Sequence, residues 1–407
     1  MICRHCQHSG AREFIDLGLA PPSNSYVTYE NAWVPTTFLP LKTFVCTNCW
    51  LVQTQDFSDA ADLFATNYAY LSSTSKSWLE HAKEFSHMII EEENLDENST
   101  VIEIAANDGY LLTNFVAKKI PSIGIEPTKI AADIARKKNI TIVEEFFSNN
   151  LSSKIVKEFG KADLIVANNV LAHVPDINSF TLGLKNLLKP NGCISIEFQH
   201  LLTLIKYCQF DTIYHEHYSY LSLTTVKHIF QSFGLQIYNV EKLSTHGGSL
   251  RVYASHETSE RKVTQSVYKT LAEEESFGIL STEKYQEFRE RVIAIKNDFL
   301  NFLIECKQKE LKVAAYGAAA KGNTLLNFAG VKSDLISVVF DAAKTKSGML
   351  MPGSLIPIES PEKITAYDPD IMVILPWNIA DEIQETLSTY CKAKMKTVTV
   401  IPKLTIF

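Results

Sequence analysis

No apolar run in this 407-residue chain reaches the roughly 20 residues that a membrane-spanning helix needs. No membrane partner is expected. The first residues, Met1-Ile2-Cys3-Arg4-His5-Cys6, hold no signal-peptide apolar region, so a cytoplasmic location is expected. Positive charge is scarce: 39 Lys and Arg stand against 46 Asp and Glu, for a formal net charge of -7. Phosphate contacts need clustered Lys and Arg, so no nucleic-acid partner is expected. No G-x-G-x-x-G follows a predicted strand, which removes the pyrophosphate cradle of nicotinamide enzymes. The 8 cysteines of a reducing compartment read as thiols or metal ligands rather than disulfides.

What is present describes an ordinary globular chain: 46% apolar and 21% charged residues. The length predicts two or three domains. The pattern is α/β, with a small N-terminal segment over 1–75, a central α/β domain over 76–255, and a helical linker with a second α/β domain over 256–407.

Two C-x-x-C pairs occupy the N-terminal segment, Cys3/Cys6 and Cys46/Cys49. Each forms a knuckle that aims two thiolates at one ion, and two knuckles complete a tetrahedral zinc site. His5 and His8 are alternative ligands, but four thiolates make the simpler, closed, structural site. Pro21-Pro-Ser-Asn-Ser25 reads as loop. Tyr68-Ala-Tyr-Leu-Ser-Ser-Thr-Ser75 is rich in tyrosine and hydroxyls ahead of a helix from about Lys76.

Val101-Ile-Glu-Ile-Ala-Ala-Asn-Asp-Gly109 is an apolar strand breaking into a tight turn, followed by a helical pattern. That is the first unit of a Rossmann-like sheet. The turn offers Glu103, Ala105, Asn107, Asp108 and Gly109 in place of a phosphate cradle. The next strand ends in Glu126, placed to accept hydrogen bonds from ribose hydroxyls. Acids without phosphate-binding glycines suit a cationic amino-acid tail, as in S-adenosylmethionine (SAM). Asn168, Asn169 and His173 follow the fourth strand, on the side where open α/β sheets bind ligands. Tyr214-His-Glu-His-Tyr218 is the densest titratable cluster. In a strand, Tyr214, Glu216 and Tyr218 share one side; in a helix, residues 214, 217 and 218 gather instead. His246-Gly247-Gly-Ser-Leu-Arg251 is a tight turn with a polar head. In the C-terminal domain, Gly317 to Asn323 lacks Walker spacing, yet Lys321, Gly322 and Asn323 put a cation and backbone N–H groups where an anion docks. Asp341 is a second acid at a strand tip.

These ordered motifs resemble the SAM-dependent nucleotide-sugar C-methyltransferases, typified by sugar C-3′-methyltransferases. The matching stretches are the paired C-x-x-C, Glu103 to Gly109, Asp211-Thr-Ile-Tyr-His-Glu-His217, His246 to Arg251 and Gly317 to Asn323. The resemblance implies a zinc-bearing N-terminal domain, a central SAM domain and a C-terminal domain that helps hold the nucleotide sugar. It implies active-site roles for Tyr214, Glu216 and His217, with His217 as the base, and for His173. It also implies an active-site tyrosine at Tyr68 or Tyr70. The family has Ser where this chain has Ala106. The implied reaction is methylation at C-3, next to the ketone of a nucleoside-diphosphate 4-keto-6-deoxysugar. His217 deprotonates the carbon, Tyr214 and His173 donate to the enolate oxygen, and Glu216 orients His217 or binds sugar. His246, Gly247, Lys321, Gly322, Asn323 and Asp341 are the substrate-side candidates. Rival readings are C-5 methylation or transfer to oxygen or nitrogen. A monomer or small homo-oligomer is expected.

Overall fold

The computed structural model describes residues 1–57, 71–74, 76–390 and 395–407. Three sheets organise it. The first is antiparallel, in the order β1 (Ala11–Ala20), β3 (Leu39–Cys46), β4 (Val52–Thr54), β10 (Ser219–Tyr220). Its last strand comes from the middle of the chain, and Ser219 pairs with Gln53. A two-residue strand, β2 (Val27–Thr28), instead pairs with β15 (Met349–Leu350). The N-terminal segment therefore touches both other parts of the molecule.

The central sheet has seven strands: β5 (Val101–Ile104), β6 (Ser122–Ile125), β7 (Thr141–Val143), β8 (Ala162–Asn168), β9 (Leu188–Gln199), β11 (Leu235–Leu243) and β12 (Ser249–His256). Their order is β11-β12-β9-β8-β5-β6-β7. β5 to β9 run parallel, and β12 inserts antiparallel between β9 and β11. Helices cover both faces, which is why β5 and β8 are mostly apolar, broken in β5 by Glu103 and in β8 by Asp163 and Asn168. The sequence predicts a turn over Lys189 to Gly192. Here β9 already begins at Leu188, because Leu188 pairs with Ala162 across an irregular register.

The third sheet follows the order β16 (Ile358–Glu359), β14 (Val339–Phe340), β13 (Val313–Tyr316), β17 (Ile371–Ile374), β18 (Lys396–Thr399), β19 (Thr405–Ile406). It is parallel except at the β19 edge. The expected linker is two helices, Gln265–Phe277 and Thr282–Gln308. The longer one buries Tyr285, Phe288, Val292, Phe299 and Leu303 in a core that also holds Phe14 and Leu41 of the first sheet and Val313 and Ile371 of the third. That shared core fixes the three parts around one cleft.

Candidate active site and metal centre

The four cysteines of the two C-x-x-C pairs meet, with all sulfurs within 4.8 Å of one another. Cys3 and Cys49 lie 3.5 Å apart, as do Cys6 and Cys46. A zinc tetrahedron with Zn–S near 2.3 Å needs sulfurs about 3.8 Å apart, so the donor set fits. His5 is not a ligand. Its Nδ1 pairs with Asn178 Oδ1 at 2.8 Å, while Arg4 donates to the Pro175 carbonyl at 2.8 Å. The first knuckle thus grips the loop after β8 at Pro175 and the start of the next helix, Ile177–Leu187, at Asn178.

A cavity of about 660 Å³ lies between the three sheets. One wall is the set of C-terminal strand ends of the central sheet. Ala105, Asn107, Glu126, Asn168 and Asn169 line it. The turn after β5 passes through left-handed backbone at Ala105, Asn107 and Gly109 (φ 57°, 50° and 74°). For Ala and Asn that conformation is costly and concentrates at functional turns. A Cβ at Gly109 would stand 2.3 Å from Ile140, so this glycine serves close packing rather than the cavity. Glu126 accepts from Thr128 N at 2.8 Å and Asn107 N at 2.9 Å, and still faces the cavity. Glu103 and Asp108 lie behind the turn, 1% exposed, outside the lining. Among the described residues, Glu103 Oε2 and both Asp108 carboxylate oxygens have no hydrogen-bond partner. Lys138 is 3.6 Å from Asp108. Burial, with Glu126 and Asp108 nearby, holds the Glu103 carboxyl well above its usual range. Orphaned buried acids beside an acid-tipped strand fit a cationic ligand such as SAM.

The opposite wall carries His173, Tyr214, Glu216, His217 and His246. Residues 213–218 are neither strand nor helix. They form a turn after a 3₁₀ stretch, Phe210–Thr212, closed by His217 N donating to Tyr214 O at 2.9 Å. That turn brings Tyr214 and His217 together, as the helical alternative expects, and sends His215 away to the Pro40 carbonyl at 3.2 Å. His217 Nδ1 donates to the Thr212 carbonyl at 2.7 Å, so Nε2 is the acceptor and takes the Tyr214 hydroxyl proton at 2.9 Å. His173 Nδ1 donates to the Glu216 carbonyl at 2.8 Å, with its ring 4.6 Å from that of His217. Burial, then the His173 ring, drives His217 well below its usual range; burial takes His173 and His246 to about 4. The surface these rings retain faces the cavity, where both His173 and His217 are neutral. Glu216 does not orient His217 through any described contact. Its two oxygens accept from Asn24 Nδ2, at 2.7 and 2.9 Å, and burial raises its carboxyl to about 7 against that bond.

The third wall is cationic. Lys321 and Lys346 line it with Ala319 and Ala320, at the N-terminus of the helix Ala320–Ala329. Lys321 Nζ donates to Asn378 Oδ1 at 3.0 Å and lies over Trp377. Burial lowers the pKa of Lys321, opposed by Asp211. Gly322, Asn323, Asp341 and Gly247 stay outside the lining. Gly322 lets Leu375 approach, and Asn323 donates to the Ser23 carbonyl at 2.5 Å. Asp341 accepts from Ala318 N at 2.6 Å and Ala343 N at 2.7 Å. A Cβ at Gly247 would stand 2.3 Å from Trp377. Tyr68 and Tyr70 lie outside the described residues. Sequence reasoning missed Asn24, Ser72, Trp78, Lys346 and Asn378 in the lining. Only Ser72, in a hydroxyl-rich stretch before a helix, left a local signal.

Comparison with known proteins matches residues 3–64 to a zinc binding domain, 76–240 to a methyltransferase domain and 244–402 to a C-methyltransferase C-terminal domain. The C-methyltransferase NovU of Streptomyces niveus is 30% identical over 401 residues, 98% of this chain and 95% of that protein. Among solved structures, the PH0226 protein of Pyrococcus horikoshii OT3 shares 13% identity at a TM-score of 0.38, over 49% of this chain and 99% of its own. Magnesium protoporphyrin IX methyltransferase from Synechocystis PCC 6803 with bound SAM shares 14% at 0.34, over 44% and 79%. Overlaps that small carry no functional argument.

Proposed function

This chain belongs to the SAM-dependent C-methyltransferases, and from that premise we propose that its acceptor is a nucleoside-diphosphate 4-keto-6-deoxysugar methylated at C-3. The observation that supports this reading is the polarity of the cavity. Glu126 lies at one end with Glu103 and Asp108 behind it, two half-buried lysines and a helix N-terminus lie at another, and a neutral His–Tyr pair stands between them. The acidic end matches a sulfonium with an amino-acid tail. The cationic end matches a diphosphate.

Ala105, Asn107, Glu126, Asn168 and Asn169, backed by Glu103, Asp108 and Gly109, would hold SAM, which supplies an electrophilic methyl group when bound. Lys321, Lys346 and the N-terminus at Ala320 would hold the diphosphate. His246, flanked by Gly247, would contact the sugar. Gly322, Asn323 and Asp341 shape that wall from behind.

A carbon next to a ketone must lose a proton before it can attack an electrophile. His217 Nε2 carries the lone pair for that step. That lone pair holds the Tyr214 hydroxyl proton at 2.9 Å, so Tyr214 must first turn its proton to the substrate carbonyl oxygen, and the freed lone pair then takes the proton from carbon. The Tyr214 hydroxyl can then accept from His217 and donate its own proton to the enolate oxygen. The depressed pKa of His217 keeps it in base form but weakens its pull on a proton by about 1.4 kcal/mol per unit. Glu216, on the same turn and held by Asn24, would bind the sugar. In its neutral tautomer His173 presents an acceptor nitrogen, so we assign the enolate oxygen to Tyr214 rather than His173.

The test incubates the protein with SAM and a panel of 4-keto-6-deoxy nucleotide sugars, with D₂O controls, and follows sugar mass. One added methyl on carbon, lost in His217→Ala while SAM binding persists, is expected. Methyl transfer unchanged in His217→Ala would remove His217 as the base. Methylation at C-5, or on oxygen or nitrogen, would refute the proposed position.

A further inference from the structure

The Glu216 carboxylate is almost completely enclosed, 2% exposed, yet none of its described bonds comes from its own neighbourhood in the chain. Its partner is Asn24, 192 residues away, on the segment joining β1 to β2. One amide nitrogen stands 2.7 Å from Oε1 and 2.9 Å from Oε2. Both contacts come from the –NH₂ group, which donates, and an ionised carboxylate accepts on both oxygens. This geometry stabilises the charged form.

The segment carrying Asn24 is held on both sides. Ser23 O accepts from Asn323 Nδ2 at 2.5 Å, and the Tyr26 hydroxyl donates to Ala318 O at 2.5 Å. Tyr26 N closes onto Asn24 O at 3.0 Å, and Val27 pairs with Leu350 immediately after. Asn24 itself lines the cavity beside Glu216. Asn323 has a sequence context that suggests an anion site, but in the fold it locks the backbone next to Asn24.

We infer that Asn24 is a positioning residue, which holds the Glu216 carboxylate in place, favours its ionised form and makes the N-terminal domain part of the acceptor site. This rests on the reading of Glu216 as an active-site group. The charged and titratable groups around the carboxylate are Tyr26 beside Asn24, Lys346 and Asp341 behind Tyr26, Lys321 across the cavity, His173 on the Glu216 carbonyl, and Tyr214 and His217 on its own turn. None of the others has a described hydrogen bond to the carboxylate.

The experiment compares wild type, Asn24→Ala, Asn24→Gln and Glu216→Gln. The Glu216 carboxyl is followed by infrared difference titration, identified as the band missing from Glu216→Gln. Removing the amide donor from a buried carboxylate raises its pKa. The midpoint should therefore move up by roughly one pH unit in Asn24→Ala, and part-way back in Asn24→Gln. Zinc content and the thermal transition serve as fold controls. An unmoved midpoint in a folded Asn24→Ala overturns the proposal, whatever the substrate proves to be. The activity arm reads the acid limb of kcat against pH, which should shift the same way, with turnover at neutral pH falling roughly tenfold. A Glu216→Gln variant with wild-type turnover would instead show that Glu216 has no catalytic part. A uniform loss of kcat without a moved limb would make Asn24 merely structural.

Discussion

Arg251→Met should destabilise this protein more than a surface charge change, because Arg251 completes a buried network that ends at the cavity. Glu197, on β9, is fully buried and sits directly across from Arg251 on β12. Its Oε2 takes Arg251 Nη2 at 3.2 Å and His81 Nε2 at 2.9 Å, and its Oε1 takes the Thr245 hydroxyl at 2.8 Å. His81 Nε2 is also 3.0 Å from Arg251. A nitrogen carrying a proton for Glu197 cannot accept one from arginine, so the carboxylate is the partner of both. Burial pushes the Glu197 carboxyl up, but His81, Arg251 and Thr245 together hold it below its usual range. The guanidinium also stacks over Phe85, 4.4 Å from the ring centre. Thr245 is followed by His246, whose left-handed backbone (φ 52°) turns it into the cavity against Trp78. Breaking a buried pair by removing one partner costs about 3–5 kcal/mol. His81 remains to Glu197, so the lower end, about 3 kcal/mol, is expected, with about 1 more from the lost cation–π contact. For a domain of this size that is a fall of roughly 6–15 °C in its unfolding midpoint. Glu197→Gln with Arg251→Met should recover at least about 2 kcal/mol relative to the sum of the single changes. Urea denaturation followed by circular dichroism reads all four proteins, and acceptor KM should rise in Arg251→Met with SAM affinity unchanged. A single-variant loss under about 1 kcal/mol, or strict additivity, refutes the network.

Three further outcomes follow from the same geometry. Glu103 has a folded pKa raised above its unfolded value, so the folded state binds the extra proton and stability falls as pH rises through that range; Glu103→Gln should therefore stabilise the ligand-free protein more at pH 8 than at pH 5 by thermal melting while weakening SAM in calorimetry, and a pH-independent gain would contradict this. Chelating zinc should lower the thermal transition and acceptor turnover but leave SAM binding, because Arg4 and His5 tie the first knuckle to the loop after β8 and the helix that follows it; full turnover with zinc gone would break that link. Lys321→Met should raise KM for a diphosphate-bearing acceptor by roughly 10- to 100-fold with little change in SAM affinity, and an unchanged KM would move the diphosphate elsewhere.

Legibility in the sequence followed locality. β5 falls at Val101–Ile104 as the apolar run predicts, since its boundaries are set by the residues on either side. The Gly- and Ala-rich stretch after β13 reads as a turn with a helix from about Asn323, but the helix begins earlier, at Ala320, because small residues at 318–320 continue into it without a capping side chain. The apolar run Ile336 to Phe340 reads as a strand in the sequence, but only Val339–Phe340 is ladder-paired with both β13 and β16, while Ser337 and Val338 make single backbone bonds to β13. In the 214–218 cluster the residue types were legible. Their directions were not, because the chain there follows a turn whose shape depends on its surroundings.

By itself the sequence determined the chemistry available: two thiolate pairs, an acid-rich turn after an apolar strand, a His–Glu–His run and a lysine at a helix start. Spacing of a few residues carries that information, because strand, turn and knuckle are local objects. Only the tertiary structure decided which of these groups meet. It placed β10 in the N-terminal sheet, aimed Asn24 at Glu216, bound Glu197 to His81 and gave Asn323 and Asp341 to scaffolding. Those partners lie from 23 to 300 residues apart in the chain. The burial of a common core brings them together, and no periodicity in the chain records that.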